Sequence, residues 1–455
     1  MAIDPFGELP DELRRLFTSG MFNAQNLPFG FAPGATDPVD WTMAKQVAVQ
    51  VAGAVNPVSE AVSAQYGQAY QVAEQWLDDT DLPGQTSYLP VSCVSAHGWI
   101  DAAINTLKPL IEPIAQATTD GLTDLTKDAF DGFDAEMLTD EMTIPGLDGL
   151  PPEFAQMLKQ FMTQDPSTFL APAARALTGL QAGQVLGELS TRLLFQHEYI
   201  LPTASHEQAV LLATNITDAF DGYGLDMRDV TVAIALQEAA HRRVFAAVPW
   251  LNGHIQQLFA TFARGIRFDK DTLEQLSREF LADVDLHDEE GLAEAMERAA
   301  AFTVPPTTDQ QHTIQQLHTV LGVVGAWARR EAEQVAASRI PTFATIQEVL
   351  RRRLATAADG EAKLQSLIGL RLTPDDPTTA DSFIRAVDAS VGTAGLMQAF
   401  AHPENLPTFT ELANPDMWLA RINTPNVPDD LVGLFDGLGD APVEPSADER
   451  LHGDT

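Results

Sequence analysis

The chain has 455 residues, enough for two or three domains or for one large helical body, and 45% of them are apolar, as in ordinary globular proteins. Its 64 acidic residues against 27 basic ones give a formal net charge of −37. A surface this acidic repels phosphate backbones and anionic lipid headgroups, so we expect neither nucleic acid nor membrane as a partner.

The cysteine content and the N-terminus indicate the compartment. Cys93 is the single cysteine of the sequence, so no disulfide can form within the chain, as is usual in a reducing compartment. Its apolar neighbours predict a small core side chain, although His97 lies near enough in sequence for a nucleophile pair. No signal peptide and no run of ~18 apolar residues is present. We therefore expect a cytoplasmic protein.

Composition divides the chain into three parts. Residues 1–40 are rich in proline and glycine, which predicts a loosely ordered arm. Residues 41–428 are predicted to form one helical domain, with an acidic linker or lid at 120–150, where carboxylates spaced by three do not match a calcium-binding EF-hand. Residues 429–455 carry eight acids and one arginine, which predicts a disordered tail.

Apolar residues recur every three or four positions through most of the domain, whereas period-two alternation is nearly absent. The fold class predicted is therefore mostly α, with few or no strands. In chain order the predicted helices cover residues 41–55, 59–77, 97–117, 153–162, 173–195, 205–220, 229–248, 253–264, 270–281, 291–300, 310–338, 345–355 and 362–369.

Three adjacent arginines, Arg351, Arg352 and Arg353, stand out against this acidic background. Such a triplet can bind an anionic ligand, but adjacent residues point to different sides of a helix. We therefore favour the interpretation that they pair with surrounding acids.

The segment 229–248 carries the chemistry. Its helical spacing places Gln237 and His241 on an otherwise apolar stripe, and Glu238 lies between them in sequence. The pattern Gln-Glu-Ala-Ala-His differs by one residue from His-Glu-x-x-His, in which two histidines hold zinc and the glutamate is the general base. A Glu-x-x-His pair also occurs in di-iron sites, but such a site needs two of these pairs within a helical bundle, and the only other Glu-x-x-His of the sequence lies in the tail at 449–452. The sequence therefore does not favour a di-iron site.

The sequence around this motif resembles a bacterial family of zincin-like metallopeptidases. The matching blocks occur in the family's order across about residues 41–418, which argues against an unrelated helical interaction protein. They are 38–41, 238–251, 310–327, 350–353, 367–374 and 402–407. The resemblance implies a mostly helical body around the motif helix, a zinc ion and hydrolysis of peptides.

Two ligand positions of that family are degenerate in this chain. An intact site pairs the motif's two histidines with a downstream glutamate, and the resemblance places Gln237 and Gly325 where the first and third ligands belong. Glu238 remains as the catalytic base, and His241 remains as one ligand. His318, two helical turns before Gly325, is the candidate for a rebuilt metal site together with His241.

Two functional hypotheses follow. The favoured one is a non-catalytic homologue, a pseudoenzyme that binds little or no zinc and instead binds a peptide or protein partner, with Gln237, Glu238 and His241 in a buried structural cluster. The alternative is an active zinc-dependent metalloprotease in which Glu238 activates water at a rebuilt metal site. Other nucleophile and nucleotide motifs are absent from the sequence.

Overall fold

The structure is a computed structural model that describes residues 37–83, 91–130, 167–199, 201, 209–267, 306–356, 365, 367–372, 376 and 378–423. In these ranges the chain forms twelve α-helices and two short strands, which confirms the mostly α class. The helices are α1 Trp41–Ala52, α2 Glu60–Leu77, α3 Ala96–Phe130, α4 Ser167–Arg192, α5 Ala213–Phe220, α6 Met227–Ala247, α7 Leu251–Arg264, α8 Thr308–Ala336, α9 Phe343–Thr356, α10 Thr378–Ala399, α11 Phe409–Ala413 and α12 Pro415–Asn423. The strands are β1 Val91–Cys93 and β2 Ala209–Leu211.

Several sequence predictions fall on other parts of the chain. The arm up to residue 36, residues 131–150 of the acidic segment and the tail at 429–455 lie outside the described residues, as do the helices predicted at 153–162, 270–281 and 291–300. The start of the acidic segment is described, and Asp120 and Asp124 belong to the last turns of α3.

The helix predicted at 205–220 is wrong in its first part. Ala209–Leu211 form strand β2, which pairs in parallel with β1, and the helix begins only at Ala213. All three residues of β2 are fully buried, and a short apolar run flanked by buried residues carries no period that separates strand from helix. Helices α10, α11 and α12 were not predicted, and in α10 Gly392, with φ 68°, interrupts the helical periodicity.

Cys93 is the last residue of strand β1, and the structure shows its environment. Cys93 is half-buried against the core, and burial raises the pKa of its thiol to about 11. The ring of His97 instead bonds the carbonyl of Gly53, with Nε2 3.0 Å from the oxygen. The structural interpretation of Cys93 is thus confirmed.

Glycines allow α1 to pack very closely on α4. Gly179, Gly183 and Gly187 follow one another at intervals of four and face α1. A Cβ added to Gly183 would lie 2.6 Å from the carbonyl oxygen of Ala44, and one added to Gly187 would lie 2.6 Å from Cβ of Val51. No larger side chain fits between these two helices unless they move apart.

Helix α6 occupies the interior of the domain, in contact with α2 on one side and α8 on another. Its N-terminus is capped by Asp226, whose carboxylate accepts from the backbone N–H of Arg228 at 2.9 Å. Around it the core includes the fully buried indoles of Trp99, Trp327 and Trp418. No helix of the described chain is both long and apolar enough to cross a membrane.

Candidate functional site

The predicted site residues of α6 are almost completely shielded from solvent. Glu238 has no exposed surface, and Gln237 and His241 are each 3% exposed. The helix is buried on nearly all sides from Val230 to Phe245, so its sequence shows only a weak polar face. The Gln-Glu-x-x-His segment therefore lies inside the protein.

The carboxylate of Glu238 is held by a histidine that lies far from it in sequence. His197, in the turn that follows α4, has a fully buried side chain, and its Nδ1 lies 3.1 Å from Oε1 and 3.0 Å from Oε2 of Glu238. The backbone N–H of His197 donates to Oε2 at 3.2 Å. Both oxygens of the predicted general base are thus engaged by one residue of the protein.

His241 uses only one of its ring nitrogens. Its Nδ1–H donates to the backbone carbonyl of Gln237 at 2.7 Å, whereas Nε2 has no hydrogen-bond partner among the described residues. Burial, with smaller contributions from the neighbouring His197 and the positive charge of Arg329, lowers the pKa of His241 to about 3, so the ring is neutral at pH 7. With its proton on Nδ1, the ring presents a buried lone pair at Nε2.

The two imidazoles are neighbours. The ring centroids of His197 and His241 are 6.1 Å apart, and the rings are within 9° of parallel. Aromatic rings line this region, with Phe245 5.2 Å from His197 and Phe195 6.1 Å from His241. Nε2 of His197 and Nε2 of Gln237 also have no hydrogen-bond partner among the described residues. We call His197, Gln237, Glu238 and His241 the histidine cluster.

A buried ion pair fixes the turn that carries His197. The carboxylate of Glu198, which accepts from the backbone N–H of Leu194 at 2.6 Å, also pairs with the guanidinium of Arg353. Burial raises the pKa of Glu198 in spite of the attraction of Arg353. The other two arginines of the triplet, Arg351 and Arg352, pair with Glu348. The predicted structural role of the triplet is confirmed.

On the side of α6 that faces α2, the polar residues are arginines. Arg243 donates from Nε to Glu74 at 2.8 Å and from Nη2 to Asp78 at 2.6 Å, and Nη2 also donates to the carbonyl of Glu74 at 2.7 Å. Arg242 donates from Nη1 to the hydroxyl of Tyr70 at 3.1 Å. Burial holds the pKa of Tyr70 well above its ordinary value. We call these five residues the arginine cluster.

Two further predicted residues lie on α8. His318 is half-buried, and its Nε2 lies 2.7 Å from the carbonyl oxygen of Arg371, which indicates a bond to the backbone. Gly325 is buried, and Arg329, one turn further along, is the residue of this helix whose charge acts on His241. In the described chain, no three His, Cys, Asp or Glu side chains are grouped so that they could hold a metal ion. A metal-binding role for His318 stays a prediction.

The side chains present do not fit the three-ligand zinc site of a catalytic zincin. Gln237 offers a neutral amide, a weak zinc ligand, and Gly325 offers no side chain. The carboxylate of Glu238, which would have to bond a metal-bound water, is occupied by His197. No catalytic step through zinc can be built from these residues.

Sequence reasoning missed His197. It stands in the string Leu193 to Glu198, where a polar triplet follows an apolar run at the end of a helix. That transition indicates only a turn, and nothing in the spacing links it to a glutamate 41 positions later. A contact between two segments that are distant in the sequence produces no periodic pattern in either segment.

The described surface does contain a groove, but at a different place. It has a volume of about 700 Å³ and lies between α1 and α3. None of the predicted site residues belongs to it. The groove is lined by Trp41, Thr42, Lys45, Gln46, Val49, Asp101 and Ile104.

Fold and site together define a mostly helical protein built around a buried Gln-Glu-x-x-His helix. The sequence model of the zincin-like metallopeptidase family matches residues 39–419, and the chain belongs to that family. A solved structure from Chloroflexus aurantiacus, described as a "putative hydrolase with a novel fold", is similar with a TM-score of 0.55. The alignment has 19% identity and covers 85% of this chain and 99% of the other. A search of curated proteins gives no significant match.

Proposed function

We propose that this chain is a non-catalytic member of the zincin-like metallopeptidase family that binds a peptide or protein partner. The observation that carries the proposal is the engagement of Glu238. Both of its oxygens accept hydrogen bonds from His197, and the side chain has no exposed surface. A general base must reach the proton that it removes, directly or through one water, and this carboxylate is enclosed by protein.

The degenerate ligand positions support the same conclusion. Gln237 and Gly325 cannot replace the charged and imidazole ligands of a catalytic zinc site, and the described residues supply no group of three ligands in their place. The fold retains a helical body whose motif helix is buried along most of its length from Val230 to Phe245. Binding of a partner needs only such a body and a complementary surface.

One observation favours the alternative, an active zinc-dependent metalloprotease. Nε2 of His241 is a buried lone pair that no described residue engages, and histidine is a common zinc ligand. In that case Glu238 would have to leave His197 before it could act as a base.

A cleavage assay separates the two functions. The purified full chain, incubated with zinc and a peptide library, should generate no new peptide termini by mass spectrometry. The matched control is Glu238→Gln, which keeps the size of the side chain and removes its basicity. Cleavage by the wild type that this variant abolishes would establish the catalytic alternative and overturn the proposal.

Partner binding needs a separate measurement. Peptides selected from a displayed library on the immobilised chain should bind the wild type and Glu238→Gln with the same Kd, because the carboxylate is buried away from any partner. Failure to find a peptide that binds more tightly than about 1 mM would contradict the proposed partner class.

A further inference from the structure

The groove between α1 and α3 has an apolar lining that polar contacts hold in place. Trp41, Val49 and Ile104 supply apolar surface to it. The indole of Trp41 is fixed against α3, because its Nε1 donates to Glu112 at 2.8 Å and Nζ of Lys108 lies 5.7 Å from the ring centroid. A ligand that binds there meets a large apolar side chain that is already ordered, which lowers the entropy cost of binding.

The charges around the groove are balanced. Nζ of Lys45 on α1 lies 2.6 Å from the carboxylate of Asp101 on α3, and both side chains line the groove and are more than half exposed. Together with Lys108 and Glu112 beside Trp41, they place two cations and two anions at this site, although the chain has a net charge of −37. Such a surface favours an apolar segment without net charge over an acidic or a basic peptide.

The described chain begins close to this groove. Its first described residue is Asp37, and Trp41, four positions later, is both the first residue of α1 and part of the groove lining. Residues 1–36, the greater part of the N-terminal arm, are therefore attached to the protein near one end of the groove.

Within the arm, residues 11–17 have the pattern of a short amphipathic helix. Leu13, Leu16 and Phe17 are spaced by three and four positions, which places them on one side of a helix. The segment contains two acidic and two basic residues, so it has no net charge. In its apolar pattern and its charge the segment matches the groove.

The dimensions of the segment and of its tether also fit. A helix of seven residues is about 10 Å long, and the groove follows α1 from Trp41 to Val49, about 12 Å. Residues 18–36 connect the segment to the described chain, and a flexible chain of these 19 residues has an r.m.s. end-to-end distance of about 24 Å. Because this reach exceeds the length of the groove, the tether permits docking and gives an effective concentration in the millimolar range.

From these observations we infer that residues 11–17 dock as an amphipathic helix in the groove between α1 and α3, with Leu13, Leu16 and Phe17 against its apolar lining. A helix of this length is not stable alone in water, so it forms on docking, as amphipathic helices do in hydrophobic grooves. The arm is then an intramolecular ligand of the helical domain. The inference goes beyond the proposed function and does not depend on it, because the ligand is a segment of the same chain.

The first test measures whether the groove is covered in the full-length protein. Hydroxyl-radical labelling read by mass spectrometry reports the accessibility of Val49 and Ile104, and Phe409, which is 52% exposed on α11, is the internal reference. In the double variant Leu13→Asp, Leu16→Asp, labelling of Val49 and Ile104 should rise, whereas labelling of Phe409 should stay constant.

The matched control removes two apolar side chains of the arm that lie outside residues 11–17. The double variant Phe29→Ser, Phe31→Ser should be labelled like the wild type. Equal labelling of the groove in the wild type and the aspartate variant would overturn the inference, and so would a rise in the serine variant. Protection that increases with protein concentration would also overturn it, since a second copy would then cover the groove.

A second test supplies the segment as a separate peptide. A fluorescein-labelled peptide of residues 8–20, followed by fluorescence anisotropy, should bind the full-length aspartate variant at least about tenfold more tightly than the wild type, whose own arm competes at millimolar effective concentration. Equal affinity for both chains would contradict an intramolecular ligand.

Substitutions in the domain locate the peptide. Ile104→Glu in the aspartate variant should abolish binding, whereas Phe409→Glu, at an exposed apolar position outside the groove, should leave the Kd unchanged. If Ile104→Glu does not fold, the labelling test still decides, because it needs no substitution in the groove. Neither test measures cleavage or binding of a selected peptide, so failure of this inference and failure of the non-catalytic proposal are distinguishable.

Discussion

The two polar clusters of helix α6 differ in how their buried polar side chains are hydrogen-bonded. In the arginine cluster, Arg243 makes three bonds through Nε and Nη2, so its charge meets the carboxylates of Glu74 and Asp78. Its Nη1 is the one nitrogen without a partner among the described residues. In the histidine cluster, Nε2 of each of the two rings has no hydrogen-bond partner within the part of the chain that the structure describes.

The difference lies in how completely each buried polar side chain is hydrogen-bonded within the described residues. Arg243 joins α2 to α6 through an ion pair whose geometry offsets much of the desolvation cost. The histidine cluster instead holds its rings in place through Glu238 and a backbone carbonyl, and Nε2 of each ring has no hydrogen-bond partner among the described residues. Four measurements test this distinction.

The largest effect is expected from Arg243→Met, which leaves the carboxylate of Glu74 buried without its partner. Breaking a buried ion pair in this way costs about 3–5 kcal/mol, measured as the free energy of unfolding in urea. The control is Arg352→Met, whose side chain is 70% exposed beside Glu348 and which should cost less than about 1 kcal/mol. Equal losses in both variants would mean that the arginine cluster is not structural.

Acidification should destabilise the protein through His241. Its pKa is about 3 in the folded chain, below the ordinary 6.5, so below pH 6.5 the unfolded chain binds a proton that the folded chain does not. Stability is therefore complete above pH 6.5 and falls by about 1.4 kcal/mol per pH unit as the pH decreases toward 3.

Because carboxylates also titrate in this range, the pH effect is read as a difference between proteins. Urea unfolding at pH 7, 6 and 5 should show a shallower pH dependence for His241→Gln than for the wild type. The exposed His402 offers the control, since His402→Gln should leave the slope unchanged. If the free energy of unfolding changed equally with pH in all three proteins, the pKa of His241 would not be lowered in the folded chain.

Tyr70→Phe should have a smaller effect. It removes the hydroxyl that accepts from Nη1 of Arg242 at 3.1 Å but leaves the ring in place beside that guanidinium. A buried hydrogen bond to a charged group contributes about 1.5–3 kcal/mol, so a loss of about 1.5 kcal/mol in thermal unfolding is expected. An unchanged Tm would show that water replaces the hydroxyl.

Glu238→Gln should have the smallest effect on stability, below about 1 kcal/mol. An amide oxygen at the position of Oε2 still accepts from the backbone N–H and the ring of His197, and a buried charge is removed. Calorimetry of the purified chain measures this change in stability. A loss as large as that of Arg243→Met would make Glu238 a structural ion-pair partner and remove the contrast between the two clusters.

The sequence allowed the helical elements to be predicted well where one face is apolar. The predicted ranges 59–77 and 310–338 differ from α2 and α8 by two residues or fewer at each end, since their periodicity and their capping residues Ser59 and Thr307 agree. Strand β2 was missed because its three apolar residues are buried on all sides, which leaves no alternation to detect.

The site was only half predictable. The Gln-Glu-x-x-His pattern led to Gln237, Glu238 and His241, and the expectation of a buried cluster agrees with their exposure of 3% or less. His197 could not be found, because it meets Glu238 through tertiary packing of a turn that Arg353 and Glu198 hold in place. The spacing of residues in the sequence predicts neighbours within one helix or strand, whereas this contact joins a turn to a helix.

The glycine stripe of α4 has a consequence for how the chain folds. Gly183 and Ala44 are in direct contact but about 140 residues apart in sequence, so the α1–α4 pairing closes a long loop before it gains any packing energy. Contacts of this kind form late and slowly. We therefore expect Gly183→Ala to accelerate unfolding far more than it slows folding in stopped-flow kinetics, so that the packing of α1 on α4 sets the kinetic lifetime of the native protein.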